Sequence, residues 1–172
     1  MRTNKTKEEF IKEMRKRIEV RQTILDFVEN VYFPMMATKF DGKVYNARFL
    51  NALNEEAKKV SELMYVKKGY SADEIEIQLR LRQWNYNDYE SILLKIKFNE
   101  EGRIDYEATV NDSLGKTWIE NFKSAIEEYQ KSIDNYDEYL KVFAKLDESL
   151  KEYNKLPHSF RGHLDTSWMH IY

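Results

Sequence analysis

The chain has 172 residues, 28 Lys+Arg against 30 Asp+Glu, a formal net charge of −2, 42% hydrophobic residues and 34% charged ones. That length makes one domain the default and two small ones the limit; the balance excludes a disordered chain and disfavours a general polyanion binder and a strong acidic mimic of nucleic acid. Cysteine is absent, which excludes disulfides, thiolate metal sites and a cysteine nucleophile, and no apolar run reaches the roughly 18 residues a membrane span needs.

Met1 to Lys5 lead into Glu8 and Glu9 with no apolar stretch, so no signal peptide is expected here. Thr6 with Glu9 three residues on reads as a capping box that opens a helix over about 7–33, and Pro34 is expected to stop it. Its stripe is Ile11, Met14, Ile18, Leu25, Val28 and Tyr32, with Arg21 in the one polar slot; Val20, Ile24, Phe27 and Val31 widen the apolar face near the end. Asp41-Gly42 signals a turn, and a second helix follows over about 46–64 with Phe49, Leu50, Leu53, Ala57, Val60 and Met64 on one face.

The period then changes from 3.6 to 2, which predicts a three- to four-stranded antiparallel meander over about 63–111. A short first strand fits 63–68. Ile75, Ile77, Leu79 and Leu81 point inward from the next, Ile92, Leu94, Ile96 and Phe98 from the third, and Ile104, Tyr106, Ala108 and Val110 from the fourth. A loop at 85–88 would set Leu81 opposite Ile92 and Leu79 opposite Leu94. A loop at 99–103 would set Phe98 opposite Ile104 and Ile96 opposite Tyr106. The outer face would then hold the rows Glu76–Lys97–Asp105 and Gln78–Lys95–Glu107, with opposite charges adjacent. A long helix over about 116–154 carries Phe122, Ile126, Tyr129, Ile133, Tyr136, Leu140, Phe143, the polar slot Asp147, and Leu150. It would be roughly 55 Å long against about 27 Å for an eight-residue strand, so it overhangs the sheet. Ser132, Asp134 and Asn135 are poor helix formers, but the stripe keeps phase across them and favours continuity. The tail, 156–172, holds all three histidines. The whole reads as a single α+β domain over 1–172: two N-terminal helices, the meander, and a long helix packed on one sheet face. Arg21 and Asp147, each the polar slot of its stripe, are expected to meet.

The function is read mainly from what is missing. His158, Arg161, His163, Asp165 and His170 cluster in the tail, but their spacing matches no zinc pattern and no HExxH occurs. Ser159 and Ser167 lack a nucleophile elbow, and only Gly115-Lys116-Thr117 resembles the opening of a phosphate loop. No catalytic residue, cofactor or metal is therefore expected. Residues 1–50 carry 11 Lys+Arg against 7 Asp+Glu, and residues 101–150 carry 6 against 12. This polarity suits either mutual packing of the two ends or contact with charged partners. Two surfaces stand out. One is the sheet end with Arg80, Arg82, Trp84, Tyr86, Tyr89 and Leu93, an arginine–aromatic group of the kind that anchors interfaces or stacks bases. The other is a secondary basic patch of Lys12, Arg15, Lys16 and Arg17.

The expected function is a small non-catalytic protein-interaction module in the cytoplasm, with a protein partner and no membrane. The 19 Lys, 12 Asn, 12 Ile and 12 Tyr have AT-rich codons. An adaptor or inhibitor from a phage or other mobile element, acting on a host protein such as a defence nuclease, is one concrete form. The alternatives are a nucleic-acid-binding accessory protein and a hydrolase or metalloenzyme built on the histidine tail. The helical overhang also allows a homodimer.

Overall fold

The computed structural model describes residues 5–38, 47–81 and 88–158. The chain forms two compact units, Met1–Lys131 and Ser132–Tyr172.

In the first unit, α1 (Lys7–Phe27) opens on the expected capping box: Glu9 N–H donates to Thr6 Oγ1, and the Glu9 carboxylate accepts from Thr6 N–H. Pro34 does not stop the helix. A π-turn over Val28–Tyr32 follows directly and leads into α2 (Phe33–Ala37) with Pro34 in its first turn. A proline ring collides with the carbonyl four residues back and offers no N–H. The widened turn, in which Phe33 N–H reaches back to Val28 O, absorbs both problems and lets the helical path continue. α3 (Ala47–Val60) buries Phe49, Leu53 and Ala57, and ends before β1 rather than overlapping it.

β1 (Met64–Lys68), β2 (Glu74–Arg80) and β3 (Tyr89–Lys95) form an antiparallel sheet in the order β1-β2-β3. The helices cover one face, with α3 on β1 and α1 on β2 and β3. Val20, Ile24, Phe27, Val28, Leu53 and Phe122 meet Met64, Val66, Ile75, Ile77, Leu79, Ile92, Leu94 and Ile96 in one core. The inward residues are those the alternation predicts, but the pairing is not: Ile77 faces Ile92 and Ile75 faces Leu94. The register is thus four residues away from the expected one. An even shift leaves every side chain on its expected face. Among the described residues pairing ends at Arg80↔Tyr89, where Leu81 N–H bonds Asp88 O at 3.2 Å.

The fourth predicted strand is a correction. Phe98 does bridge Ile104, but Asp105 then caps a short helix, α4 (Tyr106–Val110), accepting from Ala108 N–H at 3.0 Å. Tyr106 and Ala108 are exposed, while Thr109 is buried and its Oγ1 accepts Lys97 N–H at 2.9 Å. An N-cap aspartate and a threonine able to bond a strand's edge outweigh a seven-residue alternation. The charged rows built on that strand dissolve with it. Glu76 pairs with Lys67 at 3.1 Å, Lys95 with Asp73 at 3.2 Å and Lys97 with Asp112 at 3.0 Å.

The predicted long helix spans 113–155 but is interrupted. α5 (Ser113–Asp134) and α6 (Tyr136–Lys155) are separated at Asn135, whose φ of −107° and ψ of 18° leave the helical region. The poor helix formers at 132–135 therefore prevail over the stripe's phase. In the second unit α6 buries no residue, and Tyr139, Leu140 and Val142 form an exposed apolar turn.

Candidate interaction surface on the outer sheet face

Arg21 and Asp147, expected to meet, lie in different compact units, and each has a partner within its own. Arg21 Nη2 binds Glu90 at 3.0 Å, and its guanidinium lies over the rings of Phe122 and Tyr129 at 5.2 and 5.1 Å. Asp147 pairs with Lys151 one turn away, which holds its carboxyl below the usual value. Glu90 stands on the inward face of β3, opposite Leu79, and also takes Arg17 Nη1 at 3.4 Å. Two stripe-breaking charges thus do meet, but the acid comes from the sheet. Only the register brings it under α1, and the alternation of β3 marks it as an inward carboxylate.

This cluster settles much of the secondary basic patch. Arg17 is shared among Glu90, Glu13 and Asp88, and Lys16 pairs with Glu19 at 2.9 Å. Lys12 and Arg15 lie exposed on α1, and no ion pair among the described residues involves them.

The outer face of the sheet carries Tyr65 and Lys67 from β1, Glu74, Glu76, Gln78 and Arg80 from β2, and Tyr89, Ser91, Leu93 and Lys95 from β3. Gln78, at its centre, is only 2% exposed. The Tyr65 hydroxyl donates to its Oε1, and its Nε2 donates to Glu76. Glu76 in turn holds Lys67 and raises that ammonium's pKa. The Arg80 guanidinium lies over the Tyr65 ring at 5.9 Å. Arg80 faces Tyr89, which is 45% exposed, and Leu93 faces Glu76 and leans toward the β1–β2 turn. There a side chain on Gly69 would come within 2.9 Å of Leu93 Cδ1 and 2.6 Å of Glu74 Cβ, so the close approach requires glycine. Of the six predicted surface residues, Arg80, Tyr89 and Leu93 share this face; Arg82, Trp84 and Tyr86 lie outside the described residues, as do Arg161, His163, Asp165 and His170 of the tail. Tyr65 was missed. A tyrosine in an alternating edge segment is the signal that could have found it.

Behind the sheet lies a second polar group. Tyr32, on the π-turn, is fully buried, and its hydroxyl has no hydrogen-bond partner among the described residues. Burial first, and the Asp112 carboxylate second, push its pKa well up. Because an unsatisfied buried hydroxyl is costly, Tyr32→Phe is expected to stabilise the fold by about 1 kcal/mol and raise Tm by about 2–4 °C. A lowered Tm in calorimetry would show that the hydroxyl is satisfied.

Asp112 itself caps α5 through the N–H groups of Leu114 and Gly115. Burial opposes its charge, but the Lys97 ammonium and those two N–H groups outweigh it and hold the carboxyl below the usual value. A carboxyl lowered in the folded state contributes stability that is full above its unfolded pKa of about 3.9 and lost as pH falls through the folded value. Asp112→Asn is therefore expected to destabilise at neutral pH and to flatten the loss of stability below about pH 4. Urea unfolding across that range reads it, and equal slopes for the two proteins would contradict it.

Among the described residues no three of His, Cys, Asp and Glu are grouped to hold a metal ion, and no helix is long and apolar enough to cross a membrane. No protein family, curated protein or solved structure shows significant similarity to the chain.

Proposed function

We propose that this chain is a small non-catalytic protein-interaction module, an adaptor or inhibitor that binds its partner through the outer sheet face. The observation that carries this reading is the arrangement of Arg80, stacked on Tyr65, directly opposite the exposed ring of Tyr89. An arginine and two tyrosines held on a rigid sheet lose little entropy when a partner covers them, and such residues dominate interface energies.

The partner is a protein rather than a nucleic acid. Strong nucleic-acid binding needs several cations free to meet phosphates, and Arg17 and Lys16 of the basic patch already serve carboxylates. An inhibitor carried by a mobile element, acting in the cytoplasm on a host protein such as a defence nuclease, is the specific form the residue composition suggests.

The test compares the intact chain with Tyr89→Ala as bait, then measures any differentially captured protein after purification. Loss of about 2 kcal/mol of binding, roughly 30-fold in Kd, with Tm unchanged supports the reading. Equal binding by both proteins, or binding to single-stranded DNA that collapses between about 50 and 200 mM salt, would defeat it.

A further inference from the structure

We infer that the free edge of β3 is a docking site for an extended peptide segment of a partner protein, which adds to the sheet as a fourth strand. The inference rests on the outer-face reading above and specifies its mode of binding.

Antiparallel strands alternate between residues whose backbone groups point at the neighbour and residues whose groups point away. The bonds Leu81 N–H to Asp88 O and Ile96 N–H to Asp73 O, at 3.2 and 2.6 Å, set the phase. Asp88, Glu90, Ile92, Leu94 and Ile96 face β2. Tyr89, Ser91, Leu93 and Lys95 therefore turn their N–H and C=O groups away from it, and β3 is an outermost strand. Lys97, next in that series, is closed: its N–H bonds Thr109 Oγ1 and its carbonyl accepts Asp105 N–H at 2.8 Å. Among the described residues no hydrogen bond reaches the outward backbone groups of 89, 91, 93 and 95.

The opposite edge is managed differently. Val66 of β1 turns its N–H and C=O outward, and both are taken by the side-chain amide of Asn54 at 2.7 Å. Both edges thus arise from one sheet, and among the described residues the β1 edge is capped at Val66 while that of β3 has no cap over 89–95.

The occupant is set by what the edge offers. Donors and acceptors spaced about 6.8 Å apart along a line match only another extended backbone. Natural edges that must stay unpaired carry lysine, proline, a bulge or an inward charge that blocks pairing. From 89 to 95 the outward-facing side chains are Tyr89, Ser91, Leu93 and Lys95; two of these devices are present, but Lys95 is held by Asp73 at 3.2 Å and the inward Glu90 by Arg17 and Arg21, so neither charge stands unpaired at the edge. The added strand would set apolar side chains beside Tyr89 and Leu93 at alternate positions.

Two measurements on the full chain test this. In amide hydrogen exchange, Tyr89, Ser91, Leu93 and Lys95 should exchange fast while Ile92 and Leu94 are protected. Random linear peptides selected on the chain should bind and slow exchange at Ser91 and Leu93. Ser91→Pro, which removes an outward N–H and spares the bonds to β2, should weaken them about tenfold or more, and Leu93→Lys should do the same if the proline variant does not fold. Protection of the four amides in the free monomer, a dimer in sedimentation that Ser91→Pro dissociates, or a selection yielding no binder would overturn the inference. Peptides indifferent to Ser91→Pro and Leu93→Lys but lost with Tyr89→Ala would overturn strand addition and leave the outer-face reading standing.

Discussion

Replacing Glu90 with leucine is expected to cost about 3 kcal/mol of folding stability, the largest single effect of any charged residue here. Glu90 is one of very few charged residues with less than a tenth of its surface exposed, and it receives Arg21 from one turn of α1 and Arg17 from the turn before. Without it, Arg21 remains pressed against Phe122 and Tyr129, with its Nε already lacking a partner. An isolated cation in such a place costs far more than the intact pair contributes. The double variant Glu90→Leu with Arg21→Met should therefore be more stable than Glu90→Leu alone, because the remaining Arg17 keeps Glu13 and Asp88. Urea unfolding of the four proteins in the cycle measures the coupling, and purely additive costs would show that Arg21 and Glu90 act independently. Asp147→Leu is expected to be close to neutral, since its pair with Lys151, on its own helix, is largely exposed to solvent.

The second large effect is expected at Asn54. One side-chain amide there closes the N–H and C=O of Val66 and also donates to Leu50 O at 3.0 Å. Asn54→Ala strips both Val66 backbone groups of their partner and should destabilise by about 2 kcal/mol. It should also make the protein associate as concentration rises, because the β1 edge then presents unpaired backbone groups. Asn54→Asp is the sharper variant: a carboxylate can still accept from Val66 N–H but opposes its carbonyl. Sedimentation across a concentration series, beside thermal melting, reads both consequences. An Asn54→Ala protein that stays monomeric at unchanged Tm would show that the amide protects nothing.

The two edges and the Glu90 cluster also mark where the sequence is readable. The inward faces of β2 and β3 were legible because a period of two assigns faces whatever the register. The capping box at Thr6 and Glu9 was legible because all its parts lie within four residues. The π-turn before Pro34 was not, since proline's local preference argues for a stop, and only the burial of Val28, Tyr32 and Met36 keeps the path helical. The alternation at 104–110 likewise misled, because Thr109 was free to choose Lys97's backbone over a place in a strand.

The α+β class, the antiparallel sheet set between N- and C-terminal helices, and the apolar faces of β2 and β3 were determined by the sequence itself, through periodicities and caps that act over a few residues. The register of β2 on β3, the partner of Arg21, the capping of one sheet edge and the opening of the other were decided only by tertiary structure. Each depends on residues far apart in the chain: Glu90 lies 69 positions beyond Arg21, and Thr109 closes the strand edge at Lys97 only after the chain has turned back. Local pattern carries no term for such distances; they are fixed when helix and sheet bury their apolar faces together and the polar groups brought along must find partners within reach.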